Sequence, residues 1–152
     1  MSVFLGTHEN RFDAKGRVSI PAGFRSVLKS QQKEGDALVI LRPSHTLPCI
    51  EAWPATAFAR LTEPLDRLDM FSDEHDDLAA AIYADAYPMD PDREGRLKLP
   101  DFQREHEGLQ DGATADFMGV GSNFQIREQE DERASRDEER QKKSRGTRPT
   151  AP

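Results

Sequence analysis

The segment Asp13-Ala14-Lys15-Gly16-Arg17-Val18-Ser19-Ile20-Pro21 returns as Asp92-Arg93-Glu94-Gly95-Arg96-Leu97-Lys98-Leu99-Pro100, with Asp, Gly, Arg and Pro in register at one constant offset. An Asp followed three positions later by Gly suits a type I turn, in which the carboxylate accepts nearby backbone N–H groups and the glycine takes the left-handed position. Such a turn predicts a hairpin with a G1 bulge. Beyond it the residues alternate: Arg17 and Ser19 share one face of a strand, Val18 and Ile20 the other. The second copy sets Arg96 and Lys98 against Leu97 and Leu99. One face is apolar and buries itself, while the other carries cations. Pro21 and Pro100 then close each strand, lacking an N–H and suited to start a helix.

With 152 residues, 36% hydrophobic and 32% charged, the chain can form one compact unit or two small ones, and each half alone would be marginal. Two copies are too few for a solenoid, so the repeat predicts a pseudo-symmetric domain whose halves complete each other's core. A strand over Phe4–Phe12 is expected to form the first hairpin with Arg17–Ile20. Pro21 opens a helix with Phe24, Val27 and Leu28 on one face, and Ala37–Leu41 and Cys49–Trp53 read as a further hairpin. Pro54 opens a helix carrying Phe58, Leu61, Leu65 and Leu68, bent or divided at Pro64. Ser72 is the expected N-cap of another, with Leu78 and Ile82 inward and Asp73, Glu74, Asp76 and Asp77 suited to the positive helix end or to an acidic recognition surface. Ala84–Asp90 leads into the second hairpin, followed by a short helix with Phe102, His106 and Leu109. Phe117–Val120 stands at the repeat offset from Leu38–Leu41, and Phe124 and Ile126 supply the last strand. The expected organisation is a first half over 1–53, a helical connection over 54–83, a second half over 84–126 and a disordered, charged tail over 127–152.

The net charge of −7 argues against indiscriminate nucleic-acid binding, but the signs separate along the chain. Residues 1–33 hold six bases against two acids, and residues 66–95 hold ten acids against two bases. With a Debye length of about 8 Å at physiological salt, a cationic hairpin region can still meet phosphates beside an acidic helical one. That asymmetry favours directed contact over coating. The apolar run Val3-Phe4-Leu5 is short and lacks a signal-peptide layout, and single Cys49 has no internal disulfide partner, so a cytoplasmic location is expected. Cys49 reads as a small buried strand residue.

His8, His45, His75 and His106 show no metal-ligand spacing, and Gly119-Val120-Gly121 lacks the third glycine of a dinucleotide loop. No cofactor, metal, small-molecule substrate or catalytic activity is implied. Asp90-Pro91-Asp92-Arg93-Glu94-Gly95 resembles the start of a calcium loop with Asp101 at the twelfth position, but strand-like residues flank it and the usual Glu is missing. A calcium-binding scaffold is therefore a remote alternative. The arginines remain. Arg17 and Arg96 could pair with Asp13 and Asp92 to lock their own turns. Alternatively, repeated in register with Lys15 and Lys98, they form a surface fit for a DNA duplex, lysine acting as a point charge and arginine as a bidentate fork.

The paired Asp-x-x-Gly-Arg segments, the apolar alternation and the continuation Ile20-Pro21-Ala22-Gly23-Phe24-Arg25 resemble the MraZ family of bacterial transcriptional regulators, over roughly residues 3–126. The resemblance implies an α+β fold, an internally duplicated swapped-hairpin β-barrel of the AbrB type with short peripheral helices. It implies a nucleoid-associated regulator that binds short direct repeats in double-stranded DNA upstream of its own operon. It further implies assembly into a ring homo-oligomer, an octamer or larger, that controls the division and cell-wall gene cluster. Arg17 and Arg96 match the motif arginines to which the family's DNA contact is attributed, with Asp13, Gly16, Asp92 and Gly95 as motif turn residues. Pro91 stands before Asp92 where Phe12 stands before Asp13, so Met89-Asp90 is an alternative counterpart of Phe12-Asp13, and Glu94 replaces Lys15. An antitoxin of the same fold class, binding a toxin partner, is the nearer alternative function.

Overall fold

Local pattern accounts for most of the elements. The computed structural model describes residues 3–129. Strands β1 (Thr7–Arg11) and β2 (Arg17–Ser19) precede helix α1 (Ala22–Gln31), which buries Phe24 and Leu28 on one face. β3 (Val39–Pro43) and β4 (Ile50–Trp53) pair antiparallel as expected, Leu41 opposite Ala52. α2 (Ala55–Phe58) passes directly into a 3₁₀ segment, Ala59–Arg67, that accommodates Pro64. An α-helical turn would not, because proline lacks the N–H and crowds the preceding carbonyl. In α3 (Asp73–Tyr83) the Ser72 hydroxyl accepts from the His75 N–H, with Asp73, Glu74 and Asp76 in the first turn. The second copy supplies β5 (Tyr87–Met89), β6 (Arg96–Lys98), α4 (Asp101–His106), β7 (Thr114–Gly119) and β8 (Phe124–Glu128). β8 thus runs two residues into the stretch assigned to the tail, whose remainder, 130–152, lies outside the described residues.

The pairing of the strands departs from the expected hairpins. β1 and β2 are joined by the predicted turn, yet they form no ladder with each other. β1 pairs antiparallel with β7, Thr7 opposite Met118, while β2 pairs with β6, Val18 opposite Leu97. In return β5 pairs with β3, Val39 opposite Met89. Each copy lends its first strand to the other, giving a six-stranded sheet in the order β1-β7-β8-β4-β3-β5 and a two-stranded sheet β2-β6. The contact of β4 with β8, Ile50 opposite Ile126, lies at the pseudo-two-fold centre. The physical reason is burial. A turn fixes chain direction but no long-range partner, and in this pairing Val18 and Leu97 meet in register and are both essentially buried. Among the described residues no ladder closes the sheets into a barrel, and β1 and β5 remain edges, so the closed form implied by the resemblance is corrected to an open antiparallel α+β arrangement.

The constant offset of the repeat also fails beyond the turns. Val39 and Leu41 are buried and correspond in ladder position to buried Ala115 and Phe117, whereas Val120, at the repeat offset from Leu41, is exposed. The second copy has lost residues around its shorter helix, α4. There the inward position is taken by Gln103, fully buried at the repeat counterpart of Phe24, while Phe102, expected inside, is exposed and packs edge-on against Tyr87. The Gln103 amide donates to the Leu41 and Asp85 carbonyls at 3.3 and 3.0 Å. These bonds offset the cost of burying the amide nitrogen, while Gln103 Oε1 has no hydrogen-bond partner among the described residues.

One main core unites both copies, with the rings of Phe4, Phe24 and Phe124 clustered edge-on and tilted at centroid distances of 4.9 to 5.5 Å. Phe4 is fully buried, whereas its neighbour Leu5 is exposed. A smaller cluster joins Phe58 and Leu65 to Ile82, so the apolar stripe of 58–65 packs internally.

Candidate nucleic-acid interface

Both motif turns have the same internal geometry. In the first, Asp13 Oδ1 accepts from the Lys15 and Arg17 N–H groups, each at 2.9 Å, and the Asp13 N–H donates to the Arg17 carbonyl. In the second, Asp92 Oδ1 accepts from the Glu94 and Arg96 N–H groups at 2.9 and 3.0 Å. Asp92 is therefore the counterpart of Asp13. Asp90 instead accepts from the Leu38 N–H at 2.9 Å and ties the loop to the start of β3. Gly16 and Gly95 have φ of +76° and +79°, the left-handed position the turn requires.

The exchange of strands gives these turns their setting. In the β2–β6 ladder Arg17 stands opposite Lys98 and Ser19 opposite Arg96. Between them Val18 and Leu97 point into the core, so all four polar side chains occupy the outer face of one two-stranded ribbon. The Asn10 side chain donates to the Ser19 carbonyl at 2.6 Å and pins this ribbon to β1. The two arginines are held differently. Arg17 Nε donates to Asp13 Oδ2 at 2.8 Å, its one acidic partner among the described residues. Arg96 Nε donates to Asp92 Oδ2 at 2.9 Å, and its terminal nitrogens lie 3.2 Å from Glu94 and 3.8 Å from Asp13. Lys15 and Lys98 are exposed and enter no ion pair among the described residues. Both arginines therefore brace their own turns through Nε, and both side chains remain partly exposed.

A sequence-family model described as "MraZ protein, putative antitoxin-like" matches residues 3–80, half of the chain. The chain belongs to the MraZ family. It is 71% identical over 126 residues to a protein of Gluconacetobacter diazotrophicus named transcriptional regulator MraZ, covering 83% of this chain and 78% of that one. The MraZ regulator of Gluconobacter oxydans is 64% identical, with 83% and 76% covered, and that of Parvibaculum lavamentivorans 38%, with the same coverage.

Within this MraZ fold, two further arginines stand at the turns. A Cβ at Gly16 would run into the guanidinium of Arg104, and one at Gly95 into that of Arg25. Each helix lays an arginine over the turn glycine of the other copy. Arg25 and Arg104 are themselves related by the repeat offset, a signal present in the sequence that motif reading centred on the turns passes over. Their surroundings differ. Arg104 is paired with Asp111 and lies 3.6 Å from Asp101, whereas Arg25 enters no ion pair among the described residues.

The carboxylates of the calcium-like segment are turned apart: Asp90 to Leu38, Asp92 into its own turn, Glu94 to Arg96 and Asp101 to Arg104. No group of three His, Cys, Asp or Glu residues among the described residues could hold a metal ion. Cys49 is buried immediately before β4, and burial pushes its thiol up to about 11, so at neutral pH it is protonated and inert. Among the described residues, no helix is long and apolar enough to cross a membrane.

The Asp13 carboxyl is held down to about 2, chiefly by the Arg17 N–H and further by the Lys15 N–H and the Arg17 guanidinium; Asp92 is lowered by the corresponding Arg96 and Glu94 groups. A carboxyl depressed in the folded state contributes stability that is complete above its unfolded value of about 3.9 and is lost as pH falls through the folded one. Acid is therefore expected to release the first turn between about pH 4 and pH 2. The Lys15 and Arg17 amide shifts, followed by NMR, should titrate with a midpoint near 2 and lose that response in Asp13→Asn. A midpoint at the ordinary aspartate value would show that these hydrogen bonds do not hold the carboxylate.

Proposed function

We propose that this chain is a sequence-specific DNA-binding transcriptional regulator without catalytic activity. One observation carries the reading: the two-stranded ribbon β2–β6 brings Arg17, Arg96 and Lys98, from two distant segments, onto a single outward face. A two-stranded ribbon fits a major groove about 12 Å wide, where an arginine fork can bind guanine or phosphate and lysine adds point charge. The regulator names of the MraZ relatives support the same class. The family resemblance adds the finer terms: a swapped-hairpin arrangement, a ring homo-oligomer of eight protomers or more, and short direct repeats upstream of its own operon in the division and cell-wall gene cluster, read in the cytoplasm at the nucleoid.

The oligomer follows physically from charge. A protomer at −7 with a small cationic face binds one short site weakly, and linking several such faces makes each further contact effectively intramolecular. Light scattering is expected to give a mass larger than a dimer. Genomic fragments retained by the purified protein at moderate salt define the site, and titrations with one, two and three copies should show affinity rising steeply with copy number and falling with salt. A stable monomer indifferent to copy number overturns the ring and leaves single-site binding. The antitoxin-like wording of the family description favours one second reading, in which the chain also binds a toxin; a toxin gene adjacent to its own would support it.

A further inference from the structure

Duplication has kept the geometry of the two turn-and-helix corners but not their charge. At the second turn, Arg25 and Lys29 of α1 face Pro91–Gly95 across an open cleft of about 390 Å³ that Arg93 also lines. The two acids of that cleft are already engaged: Asp92 by its turn amides and the Arg96 Nε, Glu94 by an Arg96 terminal nitrogen. Arg25, Lys29 and Arg93 enter no ion pair among the described residues, so together with Arg96 four cations stand against two acids around this concavity, an excess of positive charge. The corresponding cleft at α4 is lined by Arg104, Glu105, Leu109, Gln110 and Asp111, and its one cation is neutralised by Asp111 and Asp101. The positions related to Lys29 and Arg93 by the repeat offset are Gly108 and Ala14, so the first corner lacks both of these cations, and its turn lysine, Lys15 in place of Glu94, is not among the residues lining the α4 cleft.

The geometry points to an anion site at the α1 corner, formed by Arg25, Lys29 and Arg93, that holds a phosphate of the nucleic-acid backbone. It rests on the reading of the ribbon as a duplex-binding face. Gly95 immediately precedes Arg96 at the start of β6, so backbone flanking a duplex seated on the ribbon passes the cleft. The turn glycine is what lets the Arg25 guanidinium lie there, since a Cβ at that position would displace it. The protein therefore grips DNA unequally with its two halves: both lay an arginine over a turn, and one of these is free to bind phosphate. Such contacts position the duplex and carry no base information.

The test uses Arg25→Gln, Lys29→Gln and Arg104→Gln in the full chain, titrated over a range of salt with duplex DNA of mixed sequence. Each of the first two is expected to weaken binding uniformly across sequences and to lower the slope of log affinity against log salt by about 1, with Arg104→Gln leaving the slope unchanged. Lys29 is exposed and unpaired, so its variant keeps the fold and makes the result independent of any loss in Arg25→Gln. In parallel, inorganic phosphate and the duplex are each titrated against the Gly95 amide and Arg25 Nε–H resonances. Shifts with duplex at lower concentration than with phosphate support a backbone site. Shifts with inorganic phosphate alone reassign the cleft to free phosphate and overturn the nucleic-acid assignment. If the wild type binds duplex and the slopes of the Arg25 and Lys29 variants match it, the cleft proposal fails while the functional reading stands. If no duplex binds at all, both fail.

Discussion

Arg17→Ala is expected to lose specific duplex binding while melting close to the wild-type temperature. The side chain is about a third exposed, and its acidic partner among the described residues is Asp13. The backbone N–H of residue 17 survives the substitution, so Asp13 keeps both of its turn amides. What the fold loses is one partly exposed ion pair, worth about 0–1 kcal/mol. A bidentate arginine contact to a base is worth about 1–3 kcal/mol, and protomers acting together multiply it. Arg96→Ala should do less to binding, because its guanidinium is already shared among Asp92, Glu94 and Asp13. Fluorescence anisotropy with specific duplex and a thermal melt on the same preparation separate the two roles. If melting falls together with binding, the arginine is a turn brace and not a DNA contact.

Phe124→Ala should be the most damaging single change to stability, at about 3–5 kcal/mol. Its ring centroid lies 5.1 Å from that of Phe4, 4.9 Å from that of Phe24 and 6.1 Å from that of Phe117, so it holds the N-terminal segment, α1, β7 and β8 around one point. It also stands opposite Ala52 across the central β4–β8 ladder, where a small partner leaves no bulk to refill the void. Urea unfolding gives the loss. Phe71→Ala, at a site 90% exposed, should move stability by about 0.5 kcal/mol or less. Equal losses would mean that the aromatic cluster does not organise the core.

Features governed by a few neighbouring residues were legible in the chain itself. The two Asp-x-x-Gly-Arg turns follow from an aspartate within reach of its own backbone amides and a glycine able to take positive φ. The outward face of Arg17, Ser19, Arg96 and Lys98 follows from strand alternation, and the N-cap at Ser72 and the inward Ile82 from helical spacing. The tertiary structure decided what sequence separation hides: that β2 pairs with β6 and β1 with β7, that Asp92 and not Asp90 makes the second turn, that Gln103 replaces an aromatic in the core, and that Arg25 and Arg104 cover the opposite turns. The reason is that an apolar strand carries no mark of which other apolar strand will bury it, and a side-chain charge no mark of which distant acid will neutralise it. Both are settled by how the whole chain packs, and that packing turned two copies of one motif into one ribbon with unequal corners.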